Sequence, residues 1–182
     1  MRVIAGEAKG RKLVTAKGLS TRPTSDKVRE AIFGAIGPDV VEARVLDLFA
    51  GSGAMGIEAL SRGAGFAVFV EPARGAVAAI EQNLATCALG TRADIVQKKF
   101  PVVLGVLQDR KDRFDFAFVD PPYGTDVIYE VLKHLVKADI FAPGALLVAE
   151  HDSRDKVRAD VLGLRVAREK TYGSTAVTFL EC

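Results

Sequence analysis

The sequence predicts an α/β fold: a doubly wound, mostly parallel seven-stranded sheet with a C-terminal antiparallel hairpin strand and a small N-terminal β-hairpin extension. Three observations predict it. From about residue 43 onward, short and continuously apolar runs alternate with stretches at helical spacing, the pattern of strands covered on both faces of a parallel sheet. The first of these runs leads into Gly51-Ser52-Gly53-Ala54-Met55-Gly56, a glycine loop between a strand and a helix. The last two β-like runs lie too close together for a crossover, which needs about a dozen residues, so they are expected to pair as a hairpin.

Taken in order, Arg2-Val3-Ile4-Ala5 and Arg11-Lys12-Leu13-Val14 flank a turn region containing Gly6, Lys9 and Gly10. They read as a hairpin with too little apolar area to stand alone. After a loop over residues 18–24, Ser25 or Asp26 can cap a helix whose apolar positions Val28, Ala31, Ile32 and Ala35 recur at helical spacing, ending near Gly37-Pro38. The alternation then predicts a strand at 44–49, a helix at 55–62, a strand at 66–70, a helix at 74–88 and a strand at 93–96. A short helix at 100–107, a strand at 114–119, a helix at 126–137 and a strand at 145–149 follow. A charged stretch over 152–160 precedes the paired runs 164–168 and 176–180. The expected division is a basic extension over residues 1–37 and a main domain over 38–182.

With 182 residues, 49% of them hydrophobic and 26% charged, the chain can build one good core and not two full domains. Cys87 and Cys182 stand far apart, without a CxxC or a nearby histidine pair, so neither a disulfide framework nor a metal site is expected. A reducing cytoplasm fits. Met1 opens a short charged stretch, and the longer apolar runs are interrupted by charges or prolines, so no signal peptide or membrane span is expected. The net charge of +2 is unevenly placed: residues 1–30 hold eight Lys or Arg against Glu7, Asp26 and Glu30, a balance of +5 that leaves −3 for the remainder. A basic arm on a mildly acidic body is what a phosphate-rich partner requires. On charge alone, a solvated surface hairpin reads equally well.

The G-x-G-x-x-G pattern of Gly51, Gly53 and Gly56 is shared by several nucleotide-binding folds. Glycines let the backbone approach a ligand, and the helix that follows presents free N–H groups. Glu71, twenty residues after Gly51, closes the second strand, where its carboxylate can accept hydrogen bonds from ribose hydroxyls. A dinucleotide and S-adenosylmethionine both suit such a loop. Asp47 on the strand and Glu58 on the helix would repel a pyrophosphate and attract an ammonium, which favours the second ligand. Alternatively, Asp47 simply braces the turn through backbone N–H groups.

Asp120-Pro121-Pro122-Tyr123 ends the fourth strand, and ligands of open α/β sheets gather at that rim. The two prolines have fixed φ and no N–H, leaving an extended row of acceptors, the Asp120 carboxylate and the Pro121 carbonyl, followed by the Tyr123 ring. Acceptors without donors suit an NH₂ group that must donate twice, such as the exocyclic amine of a nucleobase turned out of its helix and stacked on Tyr123. Holding both hydrogens would favour a pyramidal nitrogen and stabilise the positive charge it develops on alkylation. The bland alternative is a strand-terminating Pro-Pro with a buried tyrosine. His134 is read as a surface or packing residue; Glu150-His151-Asp152 ends the fifth strand and could touch substrate, but is read in preference as a solvated turn. No paired nucleophile and base supports hydrolysis.

Asp47-Leu48-Phe49-Ala50-Gly51-Ser52-Gly53 together with Asp120-Pro121-Pro122-Tyr123 resembles the S-adenosylmethionine-dependent amino-methyltransferases. The front end, Arg2-Val3-Ile4-Ala5-Gly6, Gly10-Arg11-Lys12-Leu13 and Thr21-Arg22-Pro23-Thr24-Ser25-Asp26-Lys27-Val28-Arg29-Glu30-Ala31-Ile32-Phe33, narrows the resemblance to the bacterial 16S ribosomal RNA (guanine-N2)-methyltransferases, the RsmD-like family. It runs over nearly the whole chain, through Tyr172-Gly173-Ser174-Thr175, and implies a Rossmann-like class I methyltransferase fold. It further implies that Asp47, Phe49, Ala50, Gly51, Ser52, Gly53 and Gly56 shape the methionine pocket, that Glu71 holds the ribose, and that Arg22, Pro23 and Thr24 lie near the cofactor. Asp120, Pro121, Pro122 and Tyr123 would bind and activate the guanine amine, and Arg2, Lys9, Arg11, Lys12 and Lys17 would grip RNA phosphate.

One departure stands out. Where such enzymes often place a small polar or acidic residue near the adenine amine, Gln97-Lys98-Lys99-Phe100 offers two lysines, leaving backbone groups and Phe100 for that contact. The implied partner is 16S RNA or the 30S subunit, with the enzyme acting as a monomer. The alternatives are a DNA adenine-N6 or cytosine-N4 methyltransferase, a non-catalytic RNA-binding protein, and a nicotinamide dehydrogenase.

Overall fold

The computed structural model describes residues 1–15, 25–122, 127–155, 157 and 159–182. The chain forms two compact units, Met1–Lys99 and Phe100–Cys182. In the first, three short parallel strands, β1 (Arg44–Asp47), β2 (Phe66–Val70) and β3 (Ala93–Val96), pair in the order β3-β2-β1, with Val45 opposite Ala67 and Val68 opposite Asp94. Their apolar side chains Val45, Leu46, Ala67, Val68 and Phe69 are all buried, which is why these runs read as continuously hydrophobic. Three helices accompany them: α1 (Asp26–Ile36), α2 (Ala54–Ser61) and α3 (Arg74–Cys87). The hydroxyl of Ser25 caps α1 by accepting from the Val28 N–H at 3.3 Å, and Gly37 ends the helix in a positive-φ conformation. Its inner stripe is Val28, Ile32, Phe33 and Ile36, whereas Ala35 is exposed.

The second unit holds α4 (Val102–Asp109), β4 (Phe114–Val119), α5 (Val127–Lys137), β5 (Phe141–Asp152), β6 (Arg165–Tyr172) and β7 (Thr175–Glu181). Here β4 and β5 run parallel, β7 pairs antiparallel with both β5 and β6, and the order is β4-β5-β7-β6. The fold is therefore α/β with a seven-stranded mixed sheet, mostly parallel, closed by C-terminal antiparallel strands.

Several element ends differ from the sequence pattern. The first strand stops at Asp47 rather than at residue 49 because Leu48 and Phe49 already belong to the turn into the glycine loop. Helix α4 starts at Val102, two residues later than expected, with Pro101 at its N-cap. The largest difference is β5, expected over residues 145–149: its pairing with β7 carries it on through Glu150, His151 and Asp152. Glu150 and His151 are buried, so they are strand residues and not a solvated turn. No helix among the described residues is long and apolar enough to cross a membrane.

The N-terminal arm folds back on itself as a minimal hairpin, with one antiparallel bridge between Arg2 and Lys12 and the buried apolar anchors Val3, Ala8 and Leu13. It is seated on α2. The Glu58 carboxylate, 1% exposed, accepts from the N–H of Ile4 at 2.8 Å and of Ala5 at 3.0 Å. One turn later the Ser61 hydroxyl accepts from the Ala8 N–H at 3.0 Å and donates to the Ala5 carbonyl at 2.6 Å. Gly6 lies so close that a Cβ there would fall 1.7 Å from the Ser61 carbonyl oxygen, so only glycine fits.

Glu58 also holds Arg62 at 2.7 Å and faces Arg29 Nε at 3.7 Å, while Arg29 Nη2 donates to the Arg2 carbonyl and to Asp26 at 3.1 Å. Arg29 is fully buried, and burial lowers its pKa against the opposing pull of Glu58 and Asp26. Removing one member of a buried charge network leaves the others uncompensated. Glu58→Ala is accordingly expected to destabilise the fold by about 3–5 kcal/mol, measured by urea unfolding; a loss under about 1 kcal/mol would refute this account of the arm's attachment.

Candidate functional site

Strand β1 delivers Asp47 to the start of a turn, and α2 begins at Ala54 with Gly53 at its N-cap in the left-handed region. The loop between them is fixed by side chains from three directions. Asp47 Oδ2 accepts from the Gly56 N–H at 2.9 Å, Glu71 Oε2 accepts from the Gly51 N–H at 3.0 Å, and Asn83 Nδ2 donates to the Ser52 carbonyl at 2.9 Å. Glu71 Oε1 accepts in turn from Ala73 N–H at 2.8 Å, which orients the carboxylate just beyond the end of β2. Gly56 is required by packing, since a Cβ there would meet Phe69 Cε1 at 2.3 Å, and Phe69 is fully buried. At Gly51 a Cβ would meet nothing within 4 Å, so the chain is open on that side of the loop.

The electrostatics of this loop are one-sided. Burial pushes the Asp47 carboxyl up to about 7, the Gly56 hydrogen bond opposes the shift, and the neighbouring negative charge of Glu71 adds to it. No ion pair to Asp47 or Glu71 occurs among the described residues, in contrast to Glu58, whose charge is consumed by Arg29 and Arg62. Glu58 therefore belongs to the arm's attachment and not to a ligand's ammonium, correcting that part of the sequence reading. Asp47 braces the turn through a backbone N–H, as one of its two readings expects, and it has no ion-pair partner among the described residues.

Phe49, Gly51 and Ser52 are half-buried and Ala50 and Gly53 are buried. The arm's cations Arg2, Lys9, Arg11 and Lys12 are exposed, and Arg2 leans towards Asp26 at 3.7 Å.

In the second unit, Asp120 follows the last residue of β4 and is half-buried, Pro121 is buried and Pro122 exposed. None of the three lies in a helix or strand, so the segment is a strand end whose proline nitrogens carry no N–H. The Phe100 ring meets His134 edge-on, with centroids 5.6 Å apart. His134 is exposed on α5, with its Nδ1 hydrogen-bonded to the Glu130 carbonyl, which fits a surface role. Lys17, Arg22, Pro23, Thr24 and Tyr123 lie outside the described residues. Asn83 was missed by the motif reading. Its signal was in the sequence: it occupies a core position on the stripe Ala76, Ala79, Ile80, Asn83, Leu84 and Cys87, where a polar side chain needs buried partners.

A mixed α/β sheet with a glycine loop braced by acids at the ends of its first two strands defines a protein of the methyltransferase fold. Residues 1–181 match the model of the family described as "Conserved hypothetical protein 95", and the chain belongs to that family, which includes the RsmD proteins. It is 40% identical over 177 residues to "Putative rRNA methyltransferase YlbH" of Bacillus subtilis (strain 168), covering 97% of this chain and 96% of that one. It is 34% identical over 176 residues to "Ribosomal RNA small subunit methyltransferase D" of Escherichia coli (strain K12), covering 97% and 87%. Among solved structures, "Putative methyltransferase yhhF from Escherichia coli" superposes with a TM-score of 0.83 at 35% identity, covering 100% of this chain and 97% of that one.

The raised Asp47 pKa has a sign that unfolding can read. Between about pH 4 and 7 the native state keeps a proton that the unfolded chain has already released, so stability falls as pH rises through this window and levels off above about 7. Asp47→Asn is expected to remove that part of the slope. Urea titrations of both proteins between about pH 4.5 and 8 measure it, and identical slopes would show that Asp47 is not the buried acid described here.

Proposed function

We propose that this protein is an S-adenosylmethionine-dependent methyltransferase that methylates the exocyclic N2 amine of a guanine in 16S ribosomal RNA, acting in the cytoplasm as a monomer on the RNA or the 30S particle. The observation that carries the reading is the pair of carboxylates, Asp47 and Glu71, bracing a glycine loop without a paired cation among the described residues. Such a site fits a ligand that brings positive charge and hydroxyl donors. When bound, S-adenosylmethionine supplies an electrophilic methyl group on a sulfonium.

The rest of the chemistry falls to the chain's own residues. Asp47 and the loop Phe49, Ala50, Gly51, Ser52, Gly53 and Gly56 hold the methionine end, Glu71 accepts from the ribose hydroxyls, and Arg22, Pro23, Thr24 and Phe100 complete the cofactor contacts. The Asp120 carboxylate and the Pro121 carbonyl accept both hydrogens of the guanine amine, hold its lone pair outward and stabilise the positive charge developing on nitrogen. Pro122 keeps the segment extended, and Tyr123 stacks on the flipped base. Arg2, Lys9, Arg11, Lys12 and Lys17 bind phosphate through counterion release, a role supported by the exposure of the first four. The kinship with small-subunit ribosomal RNA methyltransferases over nearly the full chain supports RNA, rather than DNA, as the substrate.

Asp120→Asn keeps the shape of the side chain but replaces its charge with an amide. The turnover number is expected to drop by about 10²–10³ while the affinity for S-adenosylhomocysteine stays within about threefold of the parent. Methyl transfer to unmodified 30S particles, followed by mass-spectrometric mapping of nucleosides, reads the parent's product. N2-methylguanosine in 16S RNA is expected; modification of DNA alone would overturn the reading, as would undiminished transfer by Asp120→Asn.

A further inference from the structure

Asn83 stands in the middle of α3 with no exposed surface, and its amide serves two segments at once. Oδ1 accepts from the Val14 N–H at 2.8 Å, while Nδ2 donates to the Val14 carbonyl at 2.9 Å and to the Ser52 carbonyl at 2.9 Å. Only one orientation of the amide satisfies this set, because an N–H needs the oxygen and two carbonyls need the nitrogen. Both amide hydrogens are thereby used. Asparagine is a poor helix former, and a buried amide is costly unless fully bonded, so the helix gains nothing from Asn83 apart from these contacts.

The two segments it joins are the ones to which the proposed function gives different ligands. Val14 lies at the end of the basic arm, two residues beyond Lys12, and Ser52 lies in the glycine loop next to Gly51, whose N–H is held by Glu71. We infer that Asn83 is a positioning residue that couples the cofactor loop to the RNA-binding arm, so that S-adenosylmethionine and RNA bind with positive linkage. The inference rests on the functional reading above. A shift of either segment leaves a buried donor or acceptor of Asn83 unpaired, so loop and arm are ordered together. The ligand that arrives first lowers the ordering cost for the second.

The test is a binding cycle on the full chain with S-adenosylhomocysteine and deproteinised 16S RNA as probes. Each dissociation constant is measured with and without a saturating amount of the other ligand. In the parent, each ligand is expected to tighten the other about fivefold or more, by equal factors, as reciprocity demands. In Asn83→Ala the factor is expected to fall to within about twofold of one at a temperature where circular dichroism shows the variant folded. Val14→Pro, at an exposed position, removes the N–H that Asn83 accepts and is expected to do the same; it decides the matter if Asn83→Ala does not fold. A merely structural Asn83 would lower the melting temperature and leave the linkage factor intact.

A parent that binds both ligands without linkage, or a folded variant that keeps the factor, overturns the inference alone. A parent that binds neither ligand overturns the functional reading, and this inference with it.

Discussion

The arrangement of the N-terminal half depends on one buried carboxylate. Glu58 is removed from water together with the guanidinium of Arg29, a costly placement that only dense compensation sustains. The compensation comes from Arg62, Arg29 and the backbone N–H groups of Ile4 and Ala5, so a single side chain on α2 ties down α1 and the arm. Two nitrogens of Arg29, Nε and Nη1, make no hydrogen bond among the described residues, so its charge is held by the Nη2 hydrogen bonds to the Arg2 carbonyl and Asp26 together with the ionic attraction of Glu58. With Val3, Ala8 and Leu13 turned inward and Gly6 pressed on Ser61, the arm's cations have only the solvent side left. Their exposure follows from the way the arm is anchored.

Much of the fold was legible because parallel strands and their helices leave local signals. The strands over residues 66–70, 93–96 and 114–119 have the bounds their apolar runs predict, and Ser25 caps the first helix as its residue type and position imply. The misses arise where a distant partner decides. The outer part of β5 exists because β7, some thirty residues further along the chain, pairs with it from Leu146 to Asp152; that partner also buries Glu150 and His151, which read locally as polar punctuation. His151 Nε2 meets the Thr178 hydroxyl at 2.8 Å, and its Nδ1 meets the Asp152 carbonyl at 2.9 Å, so the polar atoms of this ring are satisfied within the sheet.

The candidate site was legible by residue type and less so by role. The sequence places Asp47 and Glu58 eleven residues apart around one loop, and a charge count treats them alike. The structure separates them: Glu58 lies between two guanidiniums, whereas Asp47 has one backbone N–H and the field of another acid. An acid saturated by its own chain is architecture, whereas burial beside a second carboxylate raises Asp47 to about 7, so a cation placed there would favour its ionised form. Asn83 shows the converse, since its place on an apolar stripe was visible but its partners, 69 and 31 residues away, were not.

These contacts also bear on which class of ligand would suit the loop, more directly than the number of acids around it. A dinucleotide-type site works by offering unspent backbone N–H groups of the loop and the helix N-terminus to a pyrophosphate. Here the Gly51 N–H is already held by Glu71 and the Gly56 N–H by Asp47, so the chain's own carboxylates occupy two of the positions a phosphate would use. A pyrophosphate would have to displace these acceptors and then remain beside their charge. A ligand presenting an ammonium and ribose hydroxyls would meet the same groups as a donor, leaving both backbone hydrogen bonds in place and bringing Asp47, whose burial favours the protonated form, the positive charge that favours its ionised form. The glycine pattern is common to both ligand classes; what separates them is whether the loop's donors are free or already spent, and in this chain these two are spent.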